Sequence, residues 1–208
     1  MKKILFAVFI AFPLLLTAKG KTDAKYLKGA VPEVNGIVTF SKTFAVPGKS
    51  KQEIYDVMYR FMQDSILAKG IPGERTSIVS DGKEDGIISV RNEEYMTFRK
   101  LPLLLDRTRF RYQLSATVTE GQVNMMLTRI TYYYNEDMDG MRGENYKAEE
   151  WISDKEAVNK KNTKLYPRSG KFRIKTVDRV EAIFESAMNA FEEPAQPTQR
   201  KRATTVIE

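Results

Sequence analysis

The stretch RTRFRYQLSATVTEGQVNMMLTRITYYY, Arg107 to Tyr134, decides the fold. Phe110, Tyr112, Leu114, Ala116 and Val118 alternate with Arg109, Arg111, Gln113, Ser115 and Thr117. That two-residue period is a strand with one apolar and one polar face. Glu120-Gly121 supplies a two-residue hairpin turn. In that register Val118 opposes Val123, Ala116 opposes Met125 and Leu114 opposes Leu127, with all six inward. The apolar set then changes phase to Ile130, Tyr132 and Tyr134. A phase change within one strand needs an extra residue, so the sequence predicts a β-bulge near Thr128-Arg129.

Working outward, residues 36–46 read as a first strand with Val38, Phe40, Phe44 and Val46 on one face. Ser50-Lys51-Gln52-Glu53 is a capping box opening a helix with an Ile54, Val57, Met58, Phe61, Met62 stripe. Thr76–Ser80 is a short strand and Asp85–Arg99 a longer one. The polar Asn92-Glu93-Glu94 implies a bend or irregular edge within it. Leu101 to Leu105 holds Pro102 and reads as a packed connection. Residues 148–160 read as helical, and a last helix spans about 174–192 with Val177, Val180, Phe184, Ala187 and Phe191 as its stripe. Strands flanked by helices in this order give an α+β domain, helices packed on one face of an antiparallel sheet.

The ends differ from this body. Lys2 and Lys3 precede an apolar run from Ile4 to Leu16 that is too short to span a bilayer and has signal-peptide length. The expected division is a signal peptide at 1–20, a linker at 21–35, one domain at 36–192 and a disordered tail at 193–208. The mature protein is expected in the periplasm or outside the cell. The absence of cysteine leaves no lipoprotein anchor and no disulfide. The net charge of +7 falls to about +5 once the two signal lysines are removed, a mild bias toward anionic partners.

The resemblance to a known family rests on Gly36-Ile-Val-Thr-Phe40, on Ser50 to Met62, on Tyr146-Lys-Ala-Glu-Glu-Trp-Ile152 and on Gly170-Lys-Phe-Arg-Ile-Lys-Thr-Val-Asp178. Over residues 36–192 the chain resembles the exported Bacteroidota domain-of-unknown-function family 4468 with a TBP-like (TATA-binding-protein-like) fold. The resemblance implies that fold. It implies no activity, and the fold name does not imply DNA binding.

The chain has no histidine and no cysteine. Ser-His-Asp and Cys-His catalysis and ordinary zinc sites are therefore excluded. There is no P-loop or dinucleotide fingerprint, and no cofactor is expected. Any enzyme would rest on carboxylate, tyrosine or lysine chemistry. Glu149, Glu150 and Asp154 would form the carboxylate group of a glycan hydrolase, if Glu150 and Asp154 share a helix face. Asn135 to Gly140 matches half of a calcium loop, but Tyr146 stands where its bidentate glutamate should be.

The candidate binding face is Arg109, Arg111, Arg129 and Tyr133 on the polar side of the hairpin, with Thr39, Ser41 and Thr43 beside them. Arginines next to an aromatic suit an anionic or sugar ligand. A second reading, an apolar-ligand carrier, would use Met58, Met62, Met125 and Phe184 as pocket lining. The favoured expectation is a non-enzymatic binding module for an envelope protein, glycan or small ligand, with no nucleic acid as partner.

Overall fold

In the computed structural model, which describes residues 22–102, 104–136 and 142–192, the chain runs as follows. It passes through β1 (Glu33–Val34), β2 (Ile37–Val38), β3 (Phe40–Ala45) and α1 (Lys51–Phe61). Then come β4 (Ser77–Gly82), β5 (Ile87–Leu101), β6 (Leu104–Thr119), β7 (Gln122–Tyr134) and β8 (Glu144–Lys147). It closes with α2 (Ala148–Trp151), α3 (Asp154–Ala157) and α4 (Pro167–Asn189). The segments expected as signal peptide and C-terminal tail lie outside the described residues.

The large sheet is antiparallel, in the order β3-β7-β6-β5-β4, and β8 lies beside β7 beyond the end of β3. The hairpin register is the expected one: Val118↔Val123, Ala116↔Met125 and Leu114↔Leu127. Gly121 takes a φ of 67°, which a two-residue turn of this kind requires and glycine supplies without strain. The bulge is there too. Arg111 pairs with Thr131 but Gln113 pairs with Thr128, so Arg129 and Ile130 together face Tyr112. Arg129 has a φ of 53°. This extra residue returns Ile130 and Tyr132 to the core side, where both are buried.

The core lies between the sheet and helices α1 and α4. Ser50 accepts from the Glu53 amide at 3.3 Å, and Glu53 accepts from the Ser50 amide at 2.9 Å, so the capping box forms. It starts α1 with Ile54, Met58 and Phe61 facing the sheet, buried, and Met62 just beyond. From α4 come Phe172, Val177, Val180, Ile183, Phe184 and Ala187. Phe172 stands edge-on to Tyr132, ring centroids 5.0 Å apart, and Tyr132 donates to or accepts from Thr176 at 2.7 Å. Each such fully buried large side chain contributes about 1.5–3 kcal/mol relative to exposure.

Six expectations need correction. The first strand is broken at Thr39: Asn35-Gly36, both at positive φ, turn a small β1–β2 ribbon before β3 begins. The segment read as a linker packs on the body, with Leu27 and Val31 buried. The fully buried Arg173 side chain donates to the carbonyls of Tyr26 and Leu27, both at 2.6 Å. Strand β5 runs straight through Asn92-Glu93-Glu94, because each of the three side chains bonds a neighbouring element. Asn92 donates to the Tyr112 hydroxyl at 3.0 Å, and Glu94 takes a bidentate bond from Arg179 at 2.7 and 2.8 Å. Leu101 and Leu105 sit exposed at the β5–β6 turn instead of packing. Residues 148–160 form two short helices broken at Ile152-Ser153, and α4 begins earlier than expected, with Pro167 in its first turn.

Candidate functional site

Strand alternation builds the site. With even-numbered residues of β5 and β6 turned to the helices, the odd ones share the open face. These are Ser89, Arg91, Glu93 and Tyr95 on β5, and Arg109, Arg111, Gln113 and Ser115 on β6. The bulge then sets Thr131 and Tyr133 of β7 beside Arg111 and Arg109. Arg129 itself is exposed.

Two groups of cations result. Arg109 is neutralised within the protein: its Nε lies 2.6 Å from Glu136 Oε2, and its Nη1 lies 3.7 Å from Glu93. Burial alone would lower the Arg109 guanidinium, but the bonded Glu136 carboxylate outweighs that and holds its pKa above the ordinary value. Its guanidinium lies 5.8 Å from the Tyr95 ring and 6.0 Å from the Tyr133 ring. This end of the face is a closed ion-pair and aromatic cluster.

The second group surrounds a depression of about 150 Å³ lined by Arg75, Arg91, Arg111 and Arg129, with Gln113 and Thr131. Its floor is completed by Asn92 and Tyr112, whose side chains bond each other on the helix side. Arg111 is braced there. Its Nε donates to the buried Glu93 at 2.9 Å and its Nη1 to Asn145 at 2.9 Å, and its guanidinium lies 5.2 Å from the Tyr133 ring. Arg75, Arg91 and Arg129 have no ion-pair or hydrogen-bond partner among the described residues. No carboxylate lines the depression.

Of the residues expected on this face, Arg111, Arg129 and Tyr133 do come together, and Arg109 lies one step along. Ser41 and Thr43 share the face but pair with Met126 and Asn124, toward the other end of β7. Thr39 lies outside the strand. Arg91 and Arg75 were not foreseen. The alternation of Ile88 and Val90 with Arg91 would have disclosed Arg91, had β5 been read as continuous. Arg75, in the loop before β4, carried no sequence signal.

The other candidates separate. Met58, Met62, Met125 and Phe184 are buried members of the continuous core, and none lines the depression. Glu149 accepts from the Val38 amide at 2.8 Å, Glu150 is exposed near Lys147, and Asp154 is bonded to Arg173 and to the Gly29 amide. The helix break removes the shared face, so Glu150 and Asp154 make no acid–base pair. Asp137, Asp139 and Gly140 of the half calcium loop lie outside the described residues. No helix among the described residues is long and apolar enough to cross a membrane.

Comparison with known proteins finds a family model, described as a domain of unknown function (DUF4468) with TBP-like fold, matching residues 40–133. A DUF4468 family protein from Bacteroides ovatus ATCC 8483, known from its crystal structure, is 40% identical. The similarity covers 86% of this chain and 100% of that one, with a TM-score of 0.76. The chain belongs to the DUF4468 family. A TBP-like protein from Parabacteroides distasonis ATCC 8503 shares the fold at 20% identity, over 79% of this chain and 99% of that one, with a TM-score of 0.63. No curated protein matches the chain. The DUF4468 match spans β3 to Tyr133 and so includes every residue around the depression, but the family carries no assigned activity.

Proposed function

We propose that this DUF4468 protein is an exported, non-enzymatic binding module of the cell envelope that holds an anionic group of its partner on the open sheet face. The observation that carries this reading is the set of three arginines, Arg75, Arg91 and Arg129, that converge with Arg111 on one depression and lack protein partners among the described residues. Elsewhere on the face the protein supplies its own counter-charges, as Glu136 does for Arg109. Arginines gathered around one depression suit a carboxylate, sulfate or phosphate group. Export is supported by Lys2-Lys3 followed by the apolar run to Leu16. The binding reading is supported by a sequence without histidine or cysteine and by carboxylates already engaged in structural bonds.

Retention on a phosphocellulose column tests it. The double variant Arg91→Glu/Arg129→Glu elutes at clearly lower salt than wild type, with an unchanged melting temperature. Lys160→Glu/Lys161→Glu, which changes net charge equally in an exposed loop before α4, shifts elution much less. Equal shifts in the two variants overturn a localised site.

A further inference from the structure

Resting on that reading, we infer that the depression selects a dianionic phosphoryl group, as carried by a phosphate monoester, over singly charged carboxylate or sulfate-ester groups. Charge comes first. Four arginines and no carboxylate line the depression, and only Arg111 among the four is paired, with Glu93. A monoanion would leave unpaired cations facing one another, and like charges at short range repel. A dianion balances the site more fully.

Shape comes second. The four arginines come from four different segments: Arg75 from the loop before β4, Arg91 from β5, Arg111 from β6 and Arg129 from the bulge in β7. A planar carboxylate presents its acceptors in one plane, whereas a tetrahedral phosphoryl group presents three terminal oxygens to donors spread around it. The Thr131 hydroxyl is a further donor at the rim. Size comes third. About 150 Å³ is well below the roughly 300–1,000 Å³ of a pocket that engulfs a drug-sized ligand. The depression takes a head group and leaves the rest of the ligand outside, across Tyr133 and Tyr95.

The arginines stay charged at all physiological pH, so the pH dependence of binding belongs to the ligand. A phosphate monoester gains its second charge near pH 6. The test is calorimetric titration with glycerol phosphate, methyl sulfate and acetate at pH 5 and pH 7.5. Glycerol phosphate binds at least tenfold more tightly than either monoanion at pH 7.5, and the advantage shrinks at pH 5. Arg129→Gly, which the bulge geometry tolerates, removes at least tenfold of the affinity. Equal affinity for glycerol phosphate and methyl sulfate, or preference for acetate, overturns the inference. So does binding to phosphatidylglycerol vesicles with no response to glycerol phosphate. If the phosphocellulose difference persists while glycerol phosphate fails to bind, the anionic surface stands and the phosphoryl head group falls.

Discussion

Arg129 faces Tyr112 across the β6–β7 ladder as the extra residue of a bulge, with its φ at 53°. One residue thereby serves fold and site together. If Arg129 took a regular place in the ladder instead of bulging, Ile130 and Tyr132 would turn to solvent, because a one-residue slip exchanges the two faces of a strand. The bulge also sets Arg129 on the depression lined by Arg75, Arg91 and Arg111.

Arg129→Gly separates these two roles. Glycine adopts positive φ freely, and the strain of a left-handed L-residue is about 1–2 kcal/mol, partly offset by glycine's larger unfolded-state entropy. Chemical denaturation should show stability unchanged or raised by up to about 1 kcal/mol, while anion affinity falls. Deleting Arg129 altogether brings Leu127, Ile130 and Tyr132 into one unbroken alternation, so the fold should persist without the bulge while anion affinity falls.

Glu93 governs the charge of the site. It is buried and bonded to Arg111 at 2.9 Å. Glu93→Gln removes the negative charge paired with Arg111 at the depression, so affinity for glycerol phosphate should rise several-fold. Stability should fall by about 1–3 kcal/mol, since a charge-assisted bond to a largely buried guanidinium is lost. Titration and urea unfolding of the same sample check both directions.

Arg173 is the latch on the N-terminal segment. It is fully buried, and it donates to the carbonyls of Tyr26, Leu27 and Ile152 and to Asp154, each at 2.6 Å. Arg173→Met leaves three carbonyls without their guanidinium donor and takes the charge partner from Asp154, so unfolding should become easier by about 3 kcal/mol. Native-state trypsin digestion should then cut at Lys25 and Lys28 well before wild type is touched. Arg173→Lys should rescue little, because one ammonium cannot reach all four acceptors.

Asp178 fastens the same segment and gives a pH signature. Burial raises its carboxyl, but bonds from Lys25 at 2.8 Å and Tyr26 at 2.7 Å outweigh that and hold its pKa below the usual value. A depressed carboxylate stabilises the fold above its unfolded pKa of about 3.9, and the contribution is lost as pH falls through the folded value. The stability gap between wild type and Asp178→Asn should therefore be full at pH 6 and shrink progressively as pH falls below about 4. A gap independent of pH would exclude the ionic contribution.

Local rules made the hairpin, its bulge and the capping box legible, because each is decided by residues within a few positions of one another. Asn35-Gly36 carried an equally local turn signal, but its ribbon is too short to show alternation on either side. The polar run Asn92-Glu93-Glu94 misled for a different reason. Its partners are Tyr112, Arg111 and Arg179, up to 85 positions away, and no local pattern reveals them. Reading a bend there hid Arg91. Arg111 and Arg129 were readable from strand phase, while Arg75 depends on how its loop returns to the sheet. Glu150 and Asp154 looked paired only because a continuous helix was assumed through Ile152-Ser153.

The most direct measurement is NMR of the arginine side-chain Nε–H groups during addition of glycerol phosphate at pH 7.5. The account predicts saturable shifts at Arg75, Arg91, Arg111 and Arg129, with Arg60 and Arg173 still. Shifts spread evenly over all arginines, or none at these four, would contradict it.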